Sequence, residues 1–490
     1  MPYFIEIEGG VVAAPPADGR GVRGFKGIPY AAPPVGALRW RPPQPVEPWR
    51  VLRSAETFGA NSLQGVVFDD IDPTLAGVSE DCLYLNVWTP TQRGSAELAP
   101  VLFWIHGGGF VVGSGSEPRY DGANLAAKGI VVVTVNHRLN ALGFLAHPEL
   151  TAESGSSGAY GMLDLVAALT WVARNIGAFG GDPAAVTIAG ESAGSFAVSA
   201  LMASPLAKGL FARAIGQSGG FFASPSRPLQ SLKEAEEEGL AFAGRVGAKT
   251  LAELRAAPAE AILAAAPGLG FRPIVDGHFV PQAPADIFVK GEQADVPLLA
   301  GWTKDEGFNF DVTKGENAGR PYEETVRHVF AGAAAAALAH YPARTLETSA
   351  RALGGDLTIV HPTWAWIEAQ KATGRADIFR FRFDHAPPAP QGSFGDAGAF
   401  HAGDIPYVFD NLDAFDWTYS QSDRDVATLA SNYWVNFVKR GDPNGEGLPH
   451  WPSYRNEGMT MLIDAPARAA PDFDRPRHEF LARVVEQQAS

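Results

Sequence analysis

The central part of the chain, residues 101–201, alternates short apolar runs with longer stretches of helical composition. Continuous β-branched runs of about four to eight residues are typical of strands that are buried on both faces, and their alternation with helices favours a mostly parallel sheet. The pattern therefore predicts an α/β architecture. Its strands and helices, in chain order, are VLFWI (101–105), GIVVVTVNHR (129–138), GMLDLVAALTWVARNIGAFG (161–180), VTIAG (186–190) and SFAVSALMA (195–203).

The pattern differs on either side of this region. FIEIEGGVVAAP (4–15) and LYLNVWTP (83–90) alternate like strands without a strong helix between them, which favours antiparallel strands at the sheet edge. Residues 231–265 and 323–339 are rich in helix-forming residues and predict helices, as insertions over the sheet. Strand-like runs return late, at PLLAG (297–301) and IFRFRF (378–383). Because no boundary is visible between these parts, we predict a single domain over residues 1–490.

Composition narrows the class of protein. The chain is 46% hydrophobic and only 19% charged, which is enough to bury a large core and excludes wholesale disorder. Acidic residues outnumber basic ones 54 to 39, giving a net charge of −15. Since this is the wrong sign for contact with phosphate backbones, we do not expect nucleic acid as a partner.

Cysteine content and the apolar runs bear on location. Cys82 is the single cysteine, so an internal disulfide is ruled out and a reducing, cytoplasmic compartment is expected, with Cys82 as a small buried residue. MPYFIEIEGG (1–10) lacks the basic and apolar regions of a signal peptide. The longest apolar runs, such as 331–339, fall short of the roughly 18 to 20 residues that cross a bilayer, so no membrane span is expected.

The stretch 186–203 carries the sharpest local signal. A short β-branched run enters GESAG (190–194), and a helix of small residues leaves it. A serine on a tight strand-to-helix turn needs glycines on both sides, because a Cβ there would crowd the turn. Its oxygen then lies at the amino end of a helix, whose dipole favours developing negative charge. The pattern predicts a nucleophile elbow with Ser192 as the nucleophile.

A second G-x-S-x-G match lies at GQSGG (216–220). Pro225 and Pro228 follow it closely, so this stretch cannot begin a long helix. We therefore expect Ser218 to be a structural hydroxyl rather than the nucleophile.

A glycine-rich loop, HGGG (106–109), directly follows the strand-like run VLFWI. Successive glycines let backbone N–H groups converge on one point and let substrate approach them closely. Together with the N–H of Ala193, the N–H groups of Gly108 and Gly109 would form an oxyanion hole. A flexible loop or a phosphate cradle is the alternative, although no G-K-[ST] follows.

The general base is less well defined by the residues themselves. In hydrolases of this architecture the order is serine, acid, histidine, which confines the base to the histidines after PLLAG. Spacing does not choose among them, although His401, in GAFHAGDIPYVF (398–409), has the small neighbours of a presented side chain. Asp305 and Glu306 both follow PLLAG, and either could orient the imidazole. The candidate bases are His328, His340, His361, His385, His401 and His450.

Several motifs together closely resemble the type-B carboxylesterases, a family that includes cholinesterases and bacterial para-nitrobenzyl esterases. The resemblance runs in order from residue 25 to the last helix and so covers nearly the whole chain. The motifs that carry it are FKGIPYAAPPVGALRW (25–40), SEDCLYLNVW (79–88), HGGGFVVGSG (106–115), NHRLNALGFL (136–145), GAFGGDPAAVTIAGESAGS (177–195), KDEGF (304–308), GAFHAGDIPYVF (398–409) and YWVNFVKRGDPN (433–444).

The resemblance implies an α/β-hydrolase fold, with a mostly parallel central sheet, helices on both faces and large insertions over the active site. It implies Ser192 as nucleophile, Glu306 as acid and His401 as base, and it needs no cofactor or metal. The same likeness implies further roles: Gly108, Gly109 and Ala193 in the oxyanion hole, Glu191 beside the triad, Ser218 as a buried hydroxyl near the acid and base, and ion pairs of Arg39 with Glu80 and Arg138 with Asp164.

The implied activity is hydrolysis of small to medium carboxylic esters through an acyl-enzyme. An amidase or carbamate hydrolase with the same triad is an alternative, and so is a non-catalytic binding protein of the adhesion type. One departure from the family concerns Cys82. In many family members the cysteine of this motif closes a disulfide, but here the expected partner position is Ser62, so Cys82 stays free. Residues 62–82 also lack the tryptophan of cholinesterases, so specificity for choline esters is not expected.

Overall fold

The computed structural model describes residues 3–68, 71–72, 75–91, 98–314, 317–390, 394 and 397–489. The chain divides into two compact units that interleave along the sequence. The first consists of Met1–Ala214 and Gln230–Ile287, and the second of Ile215–Leu229 and Phe288–Ser490. The single domain predicted over residues 1–490 stays a prediction.

Parallel strands form the centre of the first unit. In it, β10 pairs in parallel with β8 and β8 in parallel with β9, whereas β9–β7 and β7–β3 are antiparallel pairs. The runs VLFWI, GIVVVTVNHR and VTIAG, predicted as buried strands, are confirmed as β8, β9 and β10, and every residue of β9 is buried. The strands that lie wholly in this unit are β1 (Tyr3–Ile7), β2 (Gly10–Ala14), β3 (Val22–Pro29), β4 (Arg53–Ser54), β5 (Asn61–Ser62), β6 (Val78–Ser79), β7 (Tyr84–Pro90), β8 (Ala99–Ile105), β9 (Val131–Val135) and β10 (Gly181–Glu191).

The edge of these strands differs from the prediction. The first run forms β1 and β2, an antiparallel pair that joins β4 in a separate small sheet, so its predicted place at the main sheet edge is wrong. Gly9 and Gly10, with φ of +110° and +150°, turn the chain back on itself, so β1 forms its backbone hydrogen bonds with the adjacent β2. The second run forms β7, which is antiparallel as predicted, and β3 takes the outer position.

The helices predicted at 231–265 are confirmed as α6, α7 and α8. Helix α6 begins with a capping box, in which Ser231 and Glu234 satisfy each other's backbone N–H groups, and ends at Gly247 in the left-handed conformation. The helices of the first unit are α1 (Ala123–Ala127), α2 (Asn140–Phe144), α3 (Pro148–Ser154), α4 (Tyr160–Asn175), α5 (Ala193–Ala203), α6 (Leu232–Val246), α7 (Leu251–Ala256) and α8 (Ala259–Ala265); α9 (Pro284–Val289) ends in the second unit.

One apolar helix bears on the question of a membrane span. Within the described ranges, Tyr160–Phe179 is long and apolar enough to cross a membrane by length and composition alone. However, 56% of its most apolar window is buried inside the protein, and its Asp164 pairs with Arg138 at 2.7 Å. Buried core helices pass the same test, so this helix is weak evidence for a span.

The second unit also contains parallel strands. Strand β13 pairs in parallel with both β12 and β14, and β15 runs antiparallel to β14 at the edge. The late strands predicted at 297–301 and 378–383 are confirmed as β12 and β13. The strands of this unit are β11 (Arg213–Gln217), whose first two residues belong to the first unit, β12 (Leu298–Thr303), β13 (Ile378–Phe383), β14 (Met459–Ile463) and β15 (Arg468–Pro471).

Helices α10 and α11 confirm the prediction at 323–339. Tyr322, Val326 and Phe330 on α10 pack with Phe480 and Leu481 of the last helix in one apolar cluster. The helices of this unit are α10 (Tyr322–Phe330), α11 (Ala334–His340), α12 (Leu346–Gly355), α13 (His361–Thr373), α14 (Ile405–Val408), α15 (Gln421–Arg440), α16 (Tyr454–Glu457) and α17 (Arg475–Ala489).

Two implied ion pairs are present in the first unit. Arg39 binds Glu80 at 2.7 Å, and Arg138 binds Asp164 at 2.7 Å with both side chains buried. Cys82 is a free, buried cysteine, as predicted. Burial raises the pKa of its thiol to about 12, and Ser62, the expected partner position, is its hydrogen-bonding neighbour.

Candidate active site

Ser192 lies between the end of β10 and the first residue of α5. Its φ of 53° and ψ of −122° are strained for a residue with a side chain, as expected of a nucleophile elbow. A Cβ at Gly190 would lie 2.8 Å from the carbonyl oxygen of Ile105, closer than real Cβ contacts, so the turn requires glycine there. Ala193 follows as the first helical residue, and its N–H points out of the helix start without an intrahelical acceptor.

The glycine loop 106–109 follows β8 and packs against this elbow. A Cβ at Gly107 would lie 2.6 Å from Oε2 of Glu191 and 3.2 Å from Cβ of Ser192. Gly108 and Gly109 both have left-handed φ, +102° and +64°, and Gly109 is exposed. The structure therefore brings together, in the first unit, the predicted residues Ser192, Glu191, Ala193, Gly108 and Gly109.

His106 supports the glycine loop from below. It is buried and stacks on His137, with ring centroids 4.8 Å apart and an interplanar angle of 9°. Burial lowers the pKa of His106 to about 3, with the neighbouring His137 adding to the effect. The ring is therefore neutral at physiological pH, and its Nδ1 donates to the carbonyl of Gly107 at 2.8 Å.

Glu306 and His401 lie together in the second unit. Nδ1 of His401 contacts Oε2 of Glu306 at 2.6 Å, and Glu306 is only 2% exposed. The other carboxylate oxygen accepts the N–H of Thr303 at 2.9 Å, which fixes the carboxylate just past the end of β12. Phe310 contacts the imidazole edge to face, with centroids 5.2 Å apart. The geometry is that of a histidine oriented by a buried acid.

Asp305, the alternative acid, is engaged elsewhere. Its carboxylate accepts the N–H of Ala399 at 2.9 Å, and its own N–H donates to the carbonyl of Ala399 at 2.9 Å. It therefore holds the loop that carries His401, while Glu306 contacts the ring.

His385 is another candidate base with carboxylate partners. Its Nε2 contacts Asp423 at 2.9 Å and its Nδ1 contacts Asp464 at 3.2 Å. Because both ring nitrogens face a carboxylate, this histidine has no nitrogen available for a nucleophile's proton, which indicates a structural role.

Ser218 is fully buried at the end of β11, with a left-handed φ of 58°. Its N–H donates to the carbonyl of Gly301 at 2.8 Å. Its hydroxyl oxygen has no hydrogen-bond partner among the residues that the structure describes. Burial agrees with the expected structural hydroxyl, and its place near the acid and base stays a prediction.

Asp404 is a functional candidate that the sequence patterns did not single out. It is fully buried, three residues after His401, and its carboxylate accepts Nε2 of Gln217 at 2.8 Å. Oε1 of Gln217 in turn accepts Nε1 of Trp434 at 2.9 Å. Burial, with a smaller contribution from the Glu306 charge, raises the pKa of Asp404 to about 6. The signal in the sequence that could have indicated Asp404 is its position between His401 and the apolar run 405–409.

No group of three or more His, Cys, Asp or Glu side chains in the described ranges is arranged to hold a metal ion.

Known proteins provide an independent comparison. The sequence pattern of the carboxylesterase family matches residues 6–480. Fumonisin B1 esterase of Sphingopyxis macrogoltabida is 38% identical over 465 residues, which cover 90% of this chain and 83% of that protein. Para-nitrobenzyl esterase of Bacillus subtilis (strain 168) is 36% identical over 463 residues, 90% of this chain and 91% of that protein.

Solved structures agree with the sequence comparison. A PNB esterase structure matches with a TM-score of 0.86 and 34% identity over 98% of this chain and 99% of that one. A carboxylesterase of Geobacillus stearothermophilus matches with a TM-score of 0.85 and 34% identity over the same shares. These likenesses confirm the α/β-hydrolase fold and the predicted ester hydrolysis. The chain belongs to the carboxylesterase family and is a serine carboxylic-ester hydrolase of type B, similar to the bacterial para-nitrobenzyl esterases.

Proposed function

We propose that Ser192, His401 and Glu306 form the catalytic triad of this hydrolase. The observation that carries the proposal is the 2.6 Å contact between Nδ1 of His401 and the buried carboxylate of Glu306. The strained φ of 53° at Ser192 supports the other half, because such strain persists where a side chain must be presented. Each half is thus supported within its own unit.

In the proposed reaction, Glu306 holds the imidazole with its proton on Nδ1, so Nε2 of His401 is the basic nitrogen. His401 removes the hydroxyl proton of Ser192 as the serine oxygen attacks the ester carbonyl. The tetrahedral intermediate collapses, His401 protonates the leaving alcohol and an acyl-enzyme remains. Water activated by the same histidine then releases the carboxylic acid.

The oxyanion of that intermediate is held, in this proposal, by the N–H groups of Gly108, Gly109 and Ala193. Two observations support this role. A Cβ added at Gly107 would lie 3.2 Å from Cβ of Ser192, so the glycine loop adjoins the nucleophile. The N–H of Ala193 lies at the start of a helix, where the dipole stabilises negative charge.

We propose small to medium carboxylic esters as substrates and the cytoplasm as the location. The exposed Gly109 supports approach of substrate to the proposed hole. The sole cysteine, which is buried and forms no disulfide, supports a reducing compartment. Cell fractionation followed by an esterase assay tests the location, and recovery of the activity outside the soluble cytoplasmic fraction would contradict it.

The decisive experiment uses a chromogenic short-chain ester with the wild type and Ser192→Ala. Losing the nucleophile should lower kcat by about 10⁶-fold, the scale seen when a triad serine is removed from a serine hydrolase. An organophosphate should label Ser192 in the wild type and leave the variant unlabelled. Ser218→Ala, at the second G-x-S-x-G match, is the matched control and should keep its label. Labelling at Ser218 instead would overturn the assignment.

A further inference from the structure

Gln64 is hydrogen-bonded to Gly113, at the end of the loop 107–113 that carries two of the proposed oxyanion donors. Its Oε1 accepts the N–H of Gly113 at 2.7 Å, and its Nε2 donates to the carbonyl of Gly113 at 3.0 Å. The same Nε2 also donates to the carbonyl of Ser62 at 3.0 Å. Gln64 is only 5% exposed, so these bonds are shielded from water. The side-chain amide thus pairs with Gly113 on both backbone groups, as a neighbouring strand would.

Gly113, which Gln64 holds, packs against the residues at the start of the loop. Its φ of +107° is left-handed, and a Cβ there would lie 2.5 Å from the carbonyl oxygen of Gly107 and 2.6 Å from Nδ1 of His106. The backbone of Gly113 therefore packs directly on the residues that begin the loop. Gly107 in turn packs on Ser192 and Glu191. A continuous series of close contacts runs from the Gln64 amide to the elbow.

A second tie anchors the same segment from the other side. The N–H of Asn140 donates to the carbonyl of Phe110 at 2.7 Å, and its side-chain amide donates to the carbonyl of Leu63 at 2.9 Å. Phe110 follows Gly109 directly and also has a left-handed φ, 62°. Residues 62–64 are therefore tied to the glycine loop at both Phe110 and Gly113.

We propose that Gln64 is a positioning residue of the oxyanion hole, holding the loop 107–113 in the arrangement that stabilises the transition state. This rests on the proposed function. Glycines give the loop its shape but also its freedom, and donors in an oxyanion hole act only when they are fixed in advance. The buried amide of Gln64 supplies that rigidity without touching substrate.

The test compares Gln64→Met, which keeps the length of the side chain but loses its hydrogen bonds, with the wild type. Misplacing reacting groups by about 1 Å costs up to about 100-fold in rate, so we expect kcat to fall about 10- to 100-fold with little change in KM. Affinity for a trifluoromethyl ketone, which forms a tetrahedral oxyanion on the serine, should fall by the same factor. Affinity for the matching methyl ketone should change little. Gln44→Met is the matched control, because the amide of Gln44 is exposed and donates to the carbonyl of Pro42.

Active-site titration with an organophosphate separates positioning from folding, because rates are then expressed per competent site. Unchanged kcat per titrated site and an unchanged ratio of the two ketone affinities would overturn the proposal. Organophosphate labelling of the wild type at a residue other than Ser192 would instead refute the proposed function itself, before any variant is compared.

Gln64→Glu keeps the test decisive if Gln64→Met does not fold. The carboxylate still accepts from Gly113 but has no donor for the carbonyls of Gly113 and Ser62, whereas the protonated acid regains one. The ratio of its kcat to that of the wild type should therefore rise as the pH is lowered through the carboxyl pKa, which burial raises. A ratio independent of pH would contradict the positioning role.

Discussion

The two units contribute to the proposed chemistry in different ways. In the first, the glycine loop and the elbow act through backbone geometry, with left-handed φ at Gly108 and Ser192 and a close approach at Gly107. In the second, Glu306 and His401 act through side chains that meet at 2.6 Å. The backbone site is therefore sensitive to any added Cβ, and the side-chain site is sensitive to changes of charge and hydrogen bonding.

Of the changes that test this contrast between the two sites, the one with the largest expected effect is in the side-chain site. Glu306→Gln keeps the shape of the acid but removes its charge, so His401 loses the partner that stabilises its protonated form. Amide replacement of a triad acid lowers kcat by about 10⁴-fold in a serine protease, and we expect a loss of that order here. Steady-state kinetics with a chromogenic ester measures it.

Asp305→Asn is the matched control for that change. Asp305 bonds the backbone of Ala399 rather than the imidazole, so its amide should cost about tenfold or less in kcat, since the loop contact is only partly lost. If Asp305→Asn were the more damaging of the two, the assignment of Glu306 as the acid would be wrong.

The next largest effect tests the backbone site. Gly107→Ala places a Cβ 2.6 Å from Oε2 of Glu191, 3.0 Å from its backbone oxygen and 3.2 Å from Cβ of Ser192, so the Glu191 side chain must shift and the loop is crowded against the elbow. Losing one oxyanion donor costs about 10² to 10³-fold in kcat, and we expect a fall in this range with little change in stability elsewhere. The kcat per titrated active site is the measurement.

Gly244→Ala is the control for that prediction, because a Cβ at this position in α6 meets nothing within 4 Å. It should leave kcat unchanged and stabilise the helix by about 1 kcal/mol. An equal kcat per titrated active site for the two alanine variants would show that the close approach at Gly107 does not contribute to catalysis.

The same contrast explains how far the sequence predicted the fold. The buried strands β8, β9 and β12 were predictable because runs that are almost wholly apolar have few alternatives, and β13 was predictable from the alternation of its aromatic residues with arginines. The small sheet of β1, β2 and β4 was not, since alternation indicates a strand but not its partner. That choice depended on the turn at Gly9 and Gly10 and on the distant β4.

For the site, local motifs pointed to Ser192 and the glycine loop because backbone geometry leaves a signature of glycines. They did not choose between Asp305 and Glu306, or among the histidines, because side-chain pairing across 95 residues leaves no local pattern. The family resemblance supplied that choice. Gln64 and Asp404 escaped both, since a buried amide or acid is defined by its three-dimensional partners.

The third prediction concerns the stability of the side-chain site. The pKa of Asp404 is raised to about 6 from an ordinary 3.8, mainly by burial. Folding therefore favours the protonated form, so this contribution to stability is present below about pH 4 and is lost as the pH rises through about 6. Above pH 6 the ionised acid costs about 3 kcal/mol, at about 1.4 kcal/mol per pKa unit. Asp404→Asn should raise the free energy of unfolding by that amount at pH 8.

Urea unfolding at pH 8 and pH 4 measures this difference, which should nearly vanish at pH 4. Asp413→Asn is the control, because the Asp413 side chain is 94% exposed and should show no such pH dependence. A variant at Asp404 that is less stable than the wild type at pH 8 would mean that the acid is held charged by partners.

The smallest expected effect concerns the segment that ties down the backbone site. Ser62 neighbours the thiol of Cys82, and in Ser62→Cys the two thiols should form a disulfide closing a loop of about 20 residues, worth about 3 kcal/mol in the chain-entropy account. The substitution also removes the acceptor for the N–H of Leu139, which costs about 1 kcal/mol. We expect a net gain of about 2 kcal/mol in the free energy of unfolding, measured by urea unfolding with and without reductant, with Ser62→Ala isolating the lost acceptor.

Because Gln64 and Asn140 already fix this segment to the glycine loop, kcat should not change. A rise in kcat on oxidation would show that the loop is still mobile in the native enzyme and that its hydrogen bonds alone do not fix the backbone site.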